Sequence, residues 1–472
     1  MFGVDREDFG SRTALIENDE FVTYKQLSEI SSDIVKDIPE RALVFILTGN
    51  TTASIAGYVG CVNSKIVPLL LDSKLSQELV LELVGKYRPS YIWAPEAKTE
   101  MFKGYGSTYE NRGYVLLKAE DDRPYPLNKD LCLLISTSGS TGSPKLVRQT
   151  YKNIRANTAS IIEYLKITEN DRAITSLPMS YVYGLSVINT HLQSGATLVL
   201  TNFDCYMKGF WDLFYKHEVT SFAGVPFMYE MLDKLRTFKK DIPGLITFTQ
   251  AGGRLNADLQ EKLTKYALEY GKNFIVMYGA SEATARMAYL PMETAINKKG
   301  SIGIPIPGGR FELLDAEDKV ITTPDTTGEL IYYGENVTYG YATCGEDLIK
   351  DDENHGRLVT GDMAKVDEDG YYYIVGRKKR FIKMFGNRIN LDDVDILLKN
   401  KFDTLDIVSS GKDDFLDIYV VDGSISEAVT DYIFETIGVN KKRMAVYTVS
   451  EIPRNESGKI RYALLDSLKP EK

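Results

Sequence analysis

The chain has 472 residues with a formal net charge of −10, and 43% of them are hydrophobic. The negative charge argues against broad nucleic-acid binding, which needs a basic face to displace counterions from phosphates. The sequence contains no apolar run of eighteen residues that would predict a membrane-spanning helix. Its charged start, with Asp5, Arg6, Glu7 and Asp8, does not resemble a signal region. We therefore expect a cytoplasmic protein without membrane insertion.

Cysteine and histidine are scarce and scattered. The four cysteines, at positions 61, 132, 205 and 344, share no metal-ligand spacing. The three histidines, at positions 191, 217 and 355, leave little material for a zinc site or a Ser-His-Asp arrangement. Chemistry that stabilises charge is therefore favoured over chemistry that depends on imidazole bases.

The first hundred residues alternate short apolar runs with helical patterns, after an opening hairpin-like stretch. This alternation is typical of crossover units on a parallel sheet. We predict, in order, a strand at 42–47, a helix at 51–63, a strand at 66–71, a helix at 77–87 and a strand at 90–93.

The apolar run 131–135 precedes a segment rich in serine, threonine and glycine, and a helical pattern begins near Lys152. We predict that this segment joins a strand to a helix. Its glycines let successive N–H groups face one point, which forms an anion nest. Such runs are more often linkers, and no Gly-Lys-Ser/Thr closes this one as in a Walker-type loop. Its placement favours a phosphate loop made by Thr137, Ser138, Gly139, Ser140, Thr141, Gly142 and Lys145.

The alternation resumes after this segment and then changes character. Further strands are predicted at 173–176, 197–200, 220–223, 246–249 and 274–277. Ligands bind beyond the carboxyl ends of parallel strands, so chemistry is expected in the loops that follow them. From residue 299 short strands and turns suggest a β-rich subdomain. The end of the chain has the pattern of a small α+β domain, with helices at 394–399 and 427–437 and strands at 417–421 and 445–449.

Segment 135–145 resembles the phosphate loop of the AMP-forming adenylating superfamily, which comprises acyl-CoA synthetases, peptide-synthetase adenylation domains and luciferases. It departs at Leu146, where the family usually has glycine. Further segments resemble family motifs in the expected order, so the resemblance covers essentially the whole chain. They are Gly-Gly-Arg-Leu at 252–255, Tyr-Gly-Ala-Ser-Glu at 278–282, Thr-Gly-Asp at 360–362, Gly-Arg-Lys-Lys at 376–379 and Pro-Arg-Asn-Glu-Ser-Gly-Lys-Ile at 453–460.

The resemblance implies a nucleotide site. A carboxylate beside a triphosphate is repulsive unless a hard cation lies between them, so Glu282 is predicted to bind Mg²⁺, together with Thr141. Asp362 is expected to accept hydrogen bonds from both ribose hydroxyls, and Arg377 to contact the ribose. The other residues expected to bind ATP or AMP are Gly253, Arg254, Leu255, Tyr278, Gly279, Ala280 and Ser281.

The resemblance also implies a mobile C-terminal domain. Lys459 matches the catalytic lysine, Lys379 the hinge position, and Lys383 is a further catalytic candidate. Gly386 would let an acyl-thiol channel pass close to the backbone. The α/β fold would comprise a large domain of layered, mostly parallel sheets at 1–376, with the β-rich subdomain at 299–376, a hinge at 377–383 and a small α+β domain at 384–472.

The predicted acid pocket has no acidic residue. In amino-acid-adenylating relatives an aspartate near the position of Gly184 holds the substrate ammonium, whereas here a buried α-ammonium would go unpaired. This favours a carboxylic acid without an α-amino group. Tyr181 stands where acyl-CoA synthetases often have histidine. The predicted pocket residues are Tyr181, Tyr183, Gly184, Val225 and Tyr278.

The motifs together predict an ATP-dependent, AMP-forming carboxylic acid–thiol ligase that uses Mg²⁺ and CoA. One alternative is transfer to the phosphopantetheine of an acyl carrier protein, and the basic segment 377–388 does not decide between the two acceptors. A second alternative is a catalytically silent protein that binds a nucleotide or acyl-AMP. Lys459, Glu282 and Asp362 argue against this second alternative, because pure binding does not need the lysine.

Overall fold

The structure is a computed structural model of the chain. It describes residue 2 and residues 7–136, 145–384, 387–454 and 460–469, without the side chains of Lys379, Asn387 and Arg388. The chain divides into two compact units. The first consists of the described residues within 1–137, 144–310 and 332–358, and the second of those within 311–331 and 359–472.

Strands and helices alternate through the first three hundred residues. The strands are β1 (Thr13–Glu17), β2 (Glu20–Thr23), β3 (Leu43–Thr48), β4 (Val67–Asp72), β5 (Tyr91–Pro95), β6 (Tyr105–Asn111), β7 (Tyr114–Ala119), β8 (Leu131–Ser136), β9 (Leu146–Thr150), β10 (Arg172–Ile174), β11 (Thr197–Val199), β12 (Ser221–Gly224), β13 (Thr247–Gln250), β14 (Asn273–Tyr278), β15 (Ala288–Tyr289) and β16 (Ile304–Pro305). The helices are α1 (Tyr24–Val35), α2 (Thr52–Asn63), α3 (Gln77–Tyr87), α4 (Tyr151–Leu165), α5 (Val182–Ser194), α6 (Lys208–Lys216), α7 (Pro226–Lys234), α8 (Ala257–Glu269) and α9 (Met292–Ala295).

The rest of the chain is richer in strands. They are β17 (Arg310–Leu314), β18 (Gly328–Tyr333), β19 (Tyr341–Ala342), β20 (Arg357–Val366), β21 (Tyr372–Arg377), β22 (Phe381–Met384), β23 (Asn387–Asn390), β24 (Ile407–Lys412), β25 (Phe415–Val420) and β26 (Met444–Thr448). The helices are α10 (Leu391–Phe402) and α11 (Ser426–Ile437).

Two large sheets build the first unit. One has the order β16-β15-β14-β13-β12-β10-β11-β1-β2 and the other β19-β9-β8-β4-β3-β5-β7-β6. The inner strands pair in parallel, as in β12–β13 and β3–β4, whereas the outer strands pair antiparallel. Parallel strands buried on both faces read as apolar runs, and β3 is buried along its whole length. The predicted α/β class is confirmed.

Five helices of the first unit, α1, α2, α3, α4 and α8, begin at side-chain caps. Thr51 caps α2, and this helix is buried from Thr52 to Val62, which places it inside the core. Thr150 caps α4 by accepting a hydrogen bond from the N–H of Asn153. Burial of such apolar surface supplies roughly 25 cal/mol per Å² and is the main stabilising contribution.

The second unit has a small core of its own. A sheet of order β17-β18-β20-β21 lies mostly within it, and the sheet β24-β25-β26 packs with α10 and α11. Ile382, Val394, Leu398, Ile418 and Ile433 are among the buried side chains of this core. The predicted small α+β fold at the end of the chain is confirmed by these elements. The predicted boundary at residue 376, between the large domain and the hinge of a mobile C-terminal domain, stays a prediction.

The predicted elements agree with the structure to within a few residues, with one correction. The helix predicted at 77–87 is α3. The strand predicted at 42–47 is displaced by one residue from β3, and the strand predicted at 274–277 lies within β14. The phosphate-loop segment was predicted to join a strand to a helix, and this is wrong. It joins β8 to β9, and these two strands pair antiparallel. The sequence hides β9 because Arg148, Gln149 and Thr150 are polar yet buried.

Among the described residues, no helix combines the length and the apolar character needed to cross a bilayer.

Candidate active site

The first feature of the site is the exit from the predicted phosphate loop. Thr137, Ser138, Gly139, Ser140, Thr141 and Gly142 lie outside the described residues. Lys145 is described, directly before β9, and its side-chain nitrogen lies 5.5 Å from the ring centroid of Tyr341. A lysine at this distance from a ring is held by a cation–π attraction. The predicted phosphate-binding lysine thus has a fixed neighbour.

Glu282 contacts the same tyrosine. The hydroxyl of Tyr341 donates a hydrogen bond to the Glu282 carboxylate. Burial and the adjacent Glu282 charge raise the pKa of Tyr341, so its hydroxyl stays protonated and remains a donor. Two residues that were predicted separately, Lys145 and Glu282, are therefore brought together by a tyrosine that the sequence reasoning did not identify.

Strand pairing fixes the position of Tyr341. Tyr341 pairs with Val147 where β19 meets β9. Arg148, which is 1% exposed, donates to the backbone oxygen of Tyr339 at 2.6 Å and forms an ion pair with Glu353 at 2.5 Å. These contacts and the strand pairing hold the backbone that carries Tyr341.

The turn that carries Glu282 is strained and firmly held. Thr284 has φ +66°, a conformation that costs a β-branched residue about 1–3 kcal/mol. Its hydroxyl donates to the backbone oxygen of Asn336 at 2.7 Å, and the Asn336 amide donates to the backbone oxygens of Ala283 and Arg286 at 2.9 Å each. Strain held by satisfied hydrogen bonds is typical of functional sites.

The start of this turn is closely packed. A Cβ atom at Gly279 would lie 1.8 Å from the backbone oxygen of Ala285 and 3.0 Å from the Cα of Arg286. Glycine is therefore required there. Tyr278, Gly279, Ala280 and Ser281 are all half-buried, as expected for a segment that lines a site.

The predicted acid pocket contains a cluster of aromatic side chains. The rings of Tyr181 and Tyr183 lie at the start of α5 with their centroids 6.3 Å apart. The Tyr183 hydroxyl is 2.7 Å from the Thr249 hydroxyl, which ties α5 to β13. Burial raises the pKa of both tyrosines to about 12, and the charge of Arg286 opposes that rise. The guanidinium carbon of Arg286 lies 3.9 Å from the Tyr183 centroid.

The other predicted pocket residues have structural positions consistent with that prediction. Val225 is buried at the start of α7, directly after β12. A Cβ atom at Gly184 would lie 2.2 Å from the backbone oxygen of Pro178, so glycine allows α5 to approach that loop.

The predicted adenine loop follows β13. Gly252 has φ +88°, and the Gln250 amide donates to the backbone oxygen of Gly253 at 2.9 Å, so the turn is held. Gly253 and Arg254 are exposed, whereas Leu255 is buried. A ligand would therefore meet the backbone of this loop rather than the Leu255 side chain.

The predicted ribose residues are neighbours within the second unit. Asp362 and Arg377 lie directly opposite each other where β20 pairs with β21. The Arg377 Nε is 3.2 Å from an Asp362 carboxylate oxygen. Asp362 is 7% exposed, and its backbone N–H bonds the Thr360 hydroxyl at 3.1 Å. The two residues are brought together, and their role in ribose binding stays a prediction.

The basic hinge segment contains one buried side chain that the sequence reasoning did not single out. Arg380 is 9% exposed and forms ion pairs with Asp392 at 2.5 Å and Asp395 at 2.7 Å. Its guanidinium carbon lies 3.8 Å from the ring centroid of Tyr462. Burial raises the pKa of Asp395 to about 6, partly opposed by the charge of Arg380. Arg380 therefore supports the fold of the second unit.

Several predicted residues cannot be placed. Gly386 and Lys459 lie outside the described residues, as does the side chain of Lys379. The described Lys383 is exposed on β22, and its backbone N–H bonds an Asp413 carboxylate oxygen at 2.8 Å. In the described part of the chain, no group of three or more His, Cys, Asp or Glu side chains forms a metal site.

Comparison with known proteins gives the chain its relatives. The family model described as AMP-binding enzyme matches residues 4–342. The oxalate–CoA ligase of Saccharomyces cerevisiae is 27% identical over 347 residues, which are 71% of this chain but only 62% of that protein. The chain thus spans less than two thirds of that relative's length. The 2-succinylbenzoate–CoA ligase of Bacillus velezensis is 26% identical over 485 residues, covering 97% of this chain and 95% of that protein.

A solved structure agrees over the whole length. The o-succinylbenzoate CoA synthetase from Bacillus subtilis, in complex with an acyl-adenylate intermediate, superposes with a TM-score of 0.80. The match covers 98% of this chain and 96% of that chain at 23% identity, so it establishes the fold alone. The family model covers far more than half of the chain, and the protein is therefore a member of the AMP-binding enzyme family.

Proposed function

We propose that the chain is an ATP-dependent, AMP-forming carboxylic acid–CoA ligase. It adenylates an acid without an α-amino group, releases pyrophosphate and then transfers the acyl group to CoA. One observation carries the proposal. Tyr341 contacts both the Lys145 ammonium and the Glu282 carboxylate, directly after the predicted phosphate loop. Membership in the AMP-binding enzyme family supports it, as do relatives named CoA ligases.

The first half-reaction brings two anions together. The substrate carboxylate attacks the α-phosphorus of ATP, and negative charge accumulates on the α-phosphoryl oxygens. Preorganised cations and N–H donors lower such a barrier most, since no proton relay is needed. Lys145 would hold the β- and γ-phosphates, and Lys459 would bridge the carboxylate and the α-phosphate.

Glu282 would hold Mg²⁺. Its single carboxylate accepts a hydrogen bond from Tyr341, and oxygen ligands suit this ion. In the described residues no further acidic cluster adjoins it, so phosphate oxygens and water would complete the coordination. When bound, the ion offsets the charge of the departing pyrophosphate.

The second half-reaction needs a thiol at the acyl-adenylate. We assign Lys379 to a hinge that rotates the C-terminal domain between the two steps, and Gly386 to the thiol channel. CoA is the proposed acceptor in a cytoplasmic reaction, because relatives that match most of this chain are named CoA ligases. Transfer to a carrier-protein phosphopantetheine is the outcome that would contradict this choice.

Exchange of radiolabelled pyrophosphate into ATP tests the proposal. Purified protein is incubated with Mg²⁺, ATP and one acid at a time from a library, and exchange is expected for a subset of acids. Active acids are then offered CoA or a panel of carrier proteins. If no acid supports exchange while AMP or acyl-AMP still binds, the chain is the catalytically silent binding protein instead.

Lys459→Ala separates the two half-reactions. We expect this variant to lose exchange by about 10²–10³-fold, because removing one positioned charge from such a transition state typically costs that much. Thiolysis of supplied acyl-adenylate should be largely preserved. Lys152→Ala, at an exposed ion pair with Glu335, is the matched control. Equal loss of both half-reactions would exclude a role for Lys459 in adenylation alone.

A further inference from the structure

Among its described residues the first unit buries two arginines, and they differ in their partners. Arg148 is 1% exposed and forms an ion pair with Glu353. Arg286 is 3% exposed, yet within the described ranges no carboxylate lies within ion-pair distance of it. Burying a guanidinium without a counter-ion is strongly unfavourable. A nearly buried arginine without an acid therefore requires an explanation.

The contacts of Arg286 use only part of its bonding capacity. Its Nε donates to the Met277 sulfur at 3.3 Å, and a thioether is a weak acceptor. The Tyr183 ring covers one face of the guanidinium at 3.9 Å, which offsets part of the lost hydration. A hydrogen bond with the Tyr164 hydroxyl is its other polar side-chain contact. A guanidinium has five N–H donors in a planar fork, so these contacts leave donors for a planar anion.

Arg286 lies where the acid would bind. Through Tyr183 it contacts α5, which carries the predicted acid pocket, and through Met277 it contacts the end of β14. Its Cα lies against Gly279, within the segment predicted to hold the adenylate. The Asn157 amide donates to its backbone oxygen at 3.0 Å, which fixes the residue from α4. The cation is thus anchored between the acid pocket and the adenylate segment.

We propose that Arg286 binds a second carboxylate of the substrate, so that this chain adenylates dicarboxylic acids. The inference rests on the proposed ligase function and specifies its substrate class. A carboxylate matches the guanidinium fork in a bidentate pair, which is strongest where water is excluded. The reacting carboxylate is an unsuitable partner, because an arginine holding both oxygens would oppose its attack on phosphorus. Arg286 is thus assigned to the carboxylate that does not react.

Matched pairs of acids test the proposal. Pyrophosphate release is measured with succinate against butyrate, glutarate against pentanoate and phthalate against benzoate. For at least one pair we expect kcat/KM to favour the dicarboxylate by about 100-fold or more, as for a buried, hydrogen-bonded charge pair. Equal or better use of the monocarboxylates in every pair overturns the inference and leaves the ligase function intact.

Two variants of Arg286 show whether it is responsible for the preference. Arg286→Met should abolish it mainly through a higher KM for the dicarboxylate, with little effect on the monocarboxylate, and Arg286→Lys should keep part of it. Arg123→Met, at an exposed ion pair with Asp121, is the control and should keep the preference. An unchanged preference in Arg286→Met would exclude the proposed contact.

Melting temperatures provide a readout that does not need turnover. If the buried charge serves a ligand, ligand-free Arg286→Met should melt at or above the wild-type temperature, since an unpaired buried charge is lost. The dicarboxylates should raise the melting temperature of wild type but not of the variant. A variant that unfolds or melts lower assigns Arg286 to the fold and overturns the inference. If no acid supports pyrophosphate release, the ligase proposal fails, and these shifts still decide whether Arg286 binds dicarboxylates.

Discussion

The regions around Arg286 in the first unit and Arg380 in the second bury the same group in the same way. Each guanidinium stacks on a tyrosine ring, at 3.9 Å and 3.8 Å respectively. They differ in their acids, because Arg380 has Asp392 and Asp395 whereas no described carboxylate pairs with Arg286. A buried charge that meets its partner within the fold serves the fold. One that lacks a partner marks a place for a ligand.

Arg380→Met should produce the largest effect. It leaves Asp392 and Asp395 without their cation, and breaking a buried pair in this way costs about 3–5 kcal/mol. Chemical denaturation, monitored by a probe in the second unit, measures the loss. The comparison fails if Arg286→Met destabilises the first unit by as much as Arg380→Met destabilises the second.

Glu282→Gln tests, through catalysis, the contrast between charges that serve the fold and charges that serve a ligand. We expect pyrophosphate release to slow by about 10²–10³-fold, because a charge that positions the departing group is removed. The melting temperature should change little, since Glu282 is half-buried and its hydrogen bond from Tyr341 can be kept by glutamine. Steady-state kinetics over a range of Mg²⁺ concentrations gives the rate. Normal activity of the variant at every concentration would show that Glu282 is not a ligand of the metal.

Asp395→Asn should alter how stability depends on pH. Burial raises the pKa of Asp395 to about 6, so the folded state holds its proton more tightly than the unfolded state does. This stability is fully present below the ordinary aspartate pKa and is lost as pH rises through about 6. At about 1.4 kcal/mol per pKa unit, the wild type should lose up to about 3 kcal/mol between pH 4 and pH 7 that the variant does not lose. Denaturation curves at both pH values measure it, and parallel behaviour of the two proteins would refute this assignment.

Tyr341→Phe should have the smallest effect. It removes the hydrogen bond to Glu282 but keeps the ring beside Lys145, so we expect a loss in kcat of about tenfold or less. Tyr339→Phe, which removes a hydroxyl that bonds Asp130 instead of Glu282, is the control. A loss as large as that of Glu282→Gln would mean that Tyr341 contacts the reacting groups itself.

The sequence predicted the fold well because buried parallel strands are apolar and bounded by turns. It predicted β3, α3 and β14 closely and missed β9. The polar side chains of β9 are buried because they bond to distant backbone, as Arg148 does to Tyr339 and Gln149 to Thr284. Pattern reasoning assumes that polar residues face water, and Arg148 does not.

The candidate site was predictable where a residue stands in a motif and not where it is placed by tertiary contacts. Glu282 and Asp362 stand in short motifs, so their types and spacing identified them. Tyr341 and Arg286 lie in segments that match no motif. Tyr341 is placed by the pairing of β19 with β9, and Arg286 by its contacts with Tyr183 of α5 and Met277 of β14. Contacts between distant segments cannot be read from spacing along one chain.

The pairing of β8 with β9 has a practical consequence for exchanging the phosphate loop between proteins. Ser136 of β8 and Leu146 of β9 pair across the two strands, so the residues that flank the intervening stretch are neighbours in the sheet. Residues 137–145 are therefore the segment to replace when the loop is exchanged. A graft that is one residue longer or shorter and shifts β9 by one position against β8 would turn Arg148 to the opposite face and break its ion pair with Glu353.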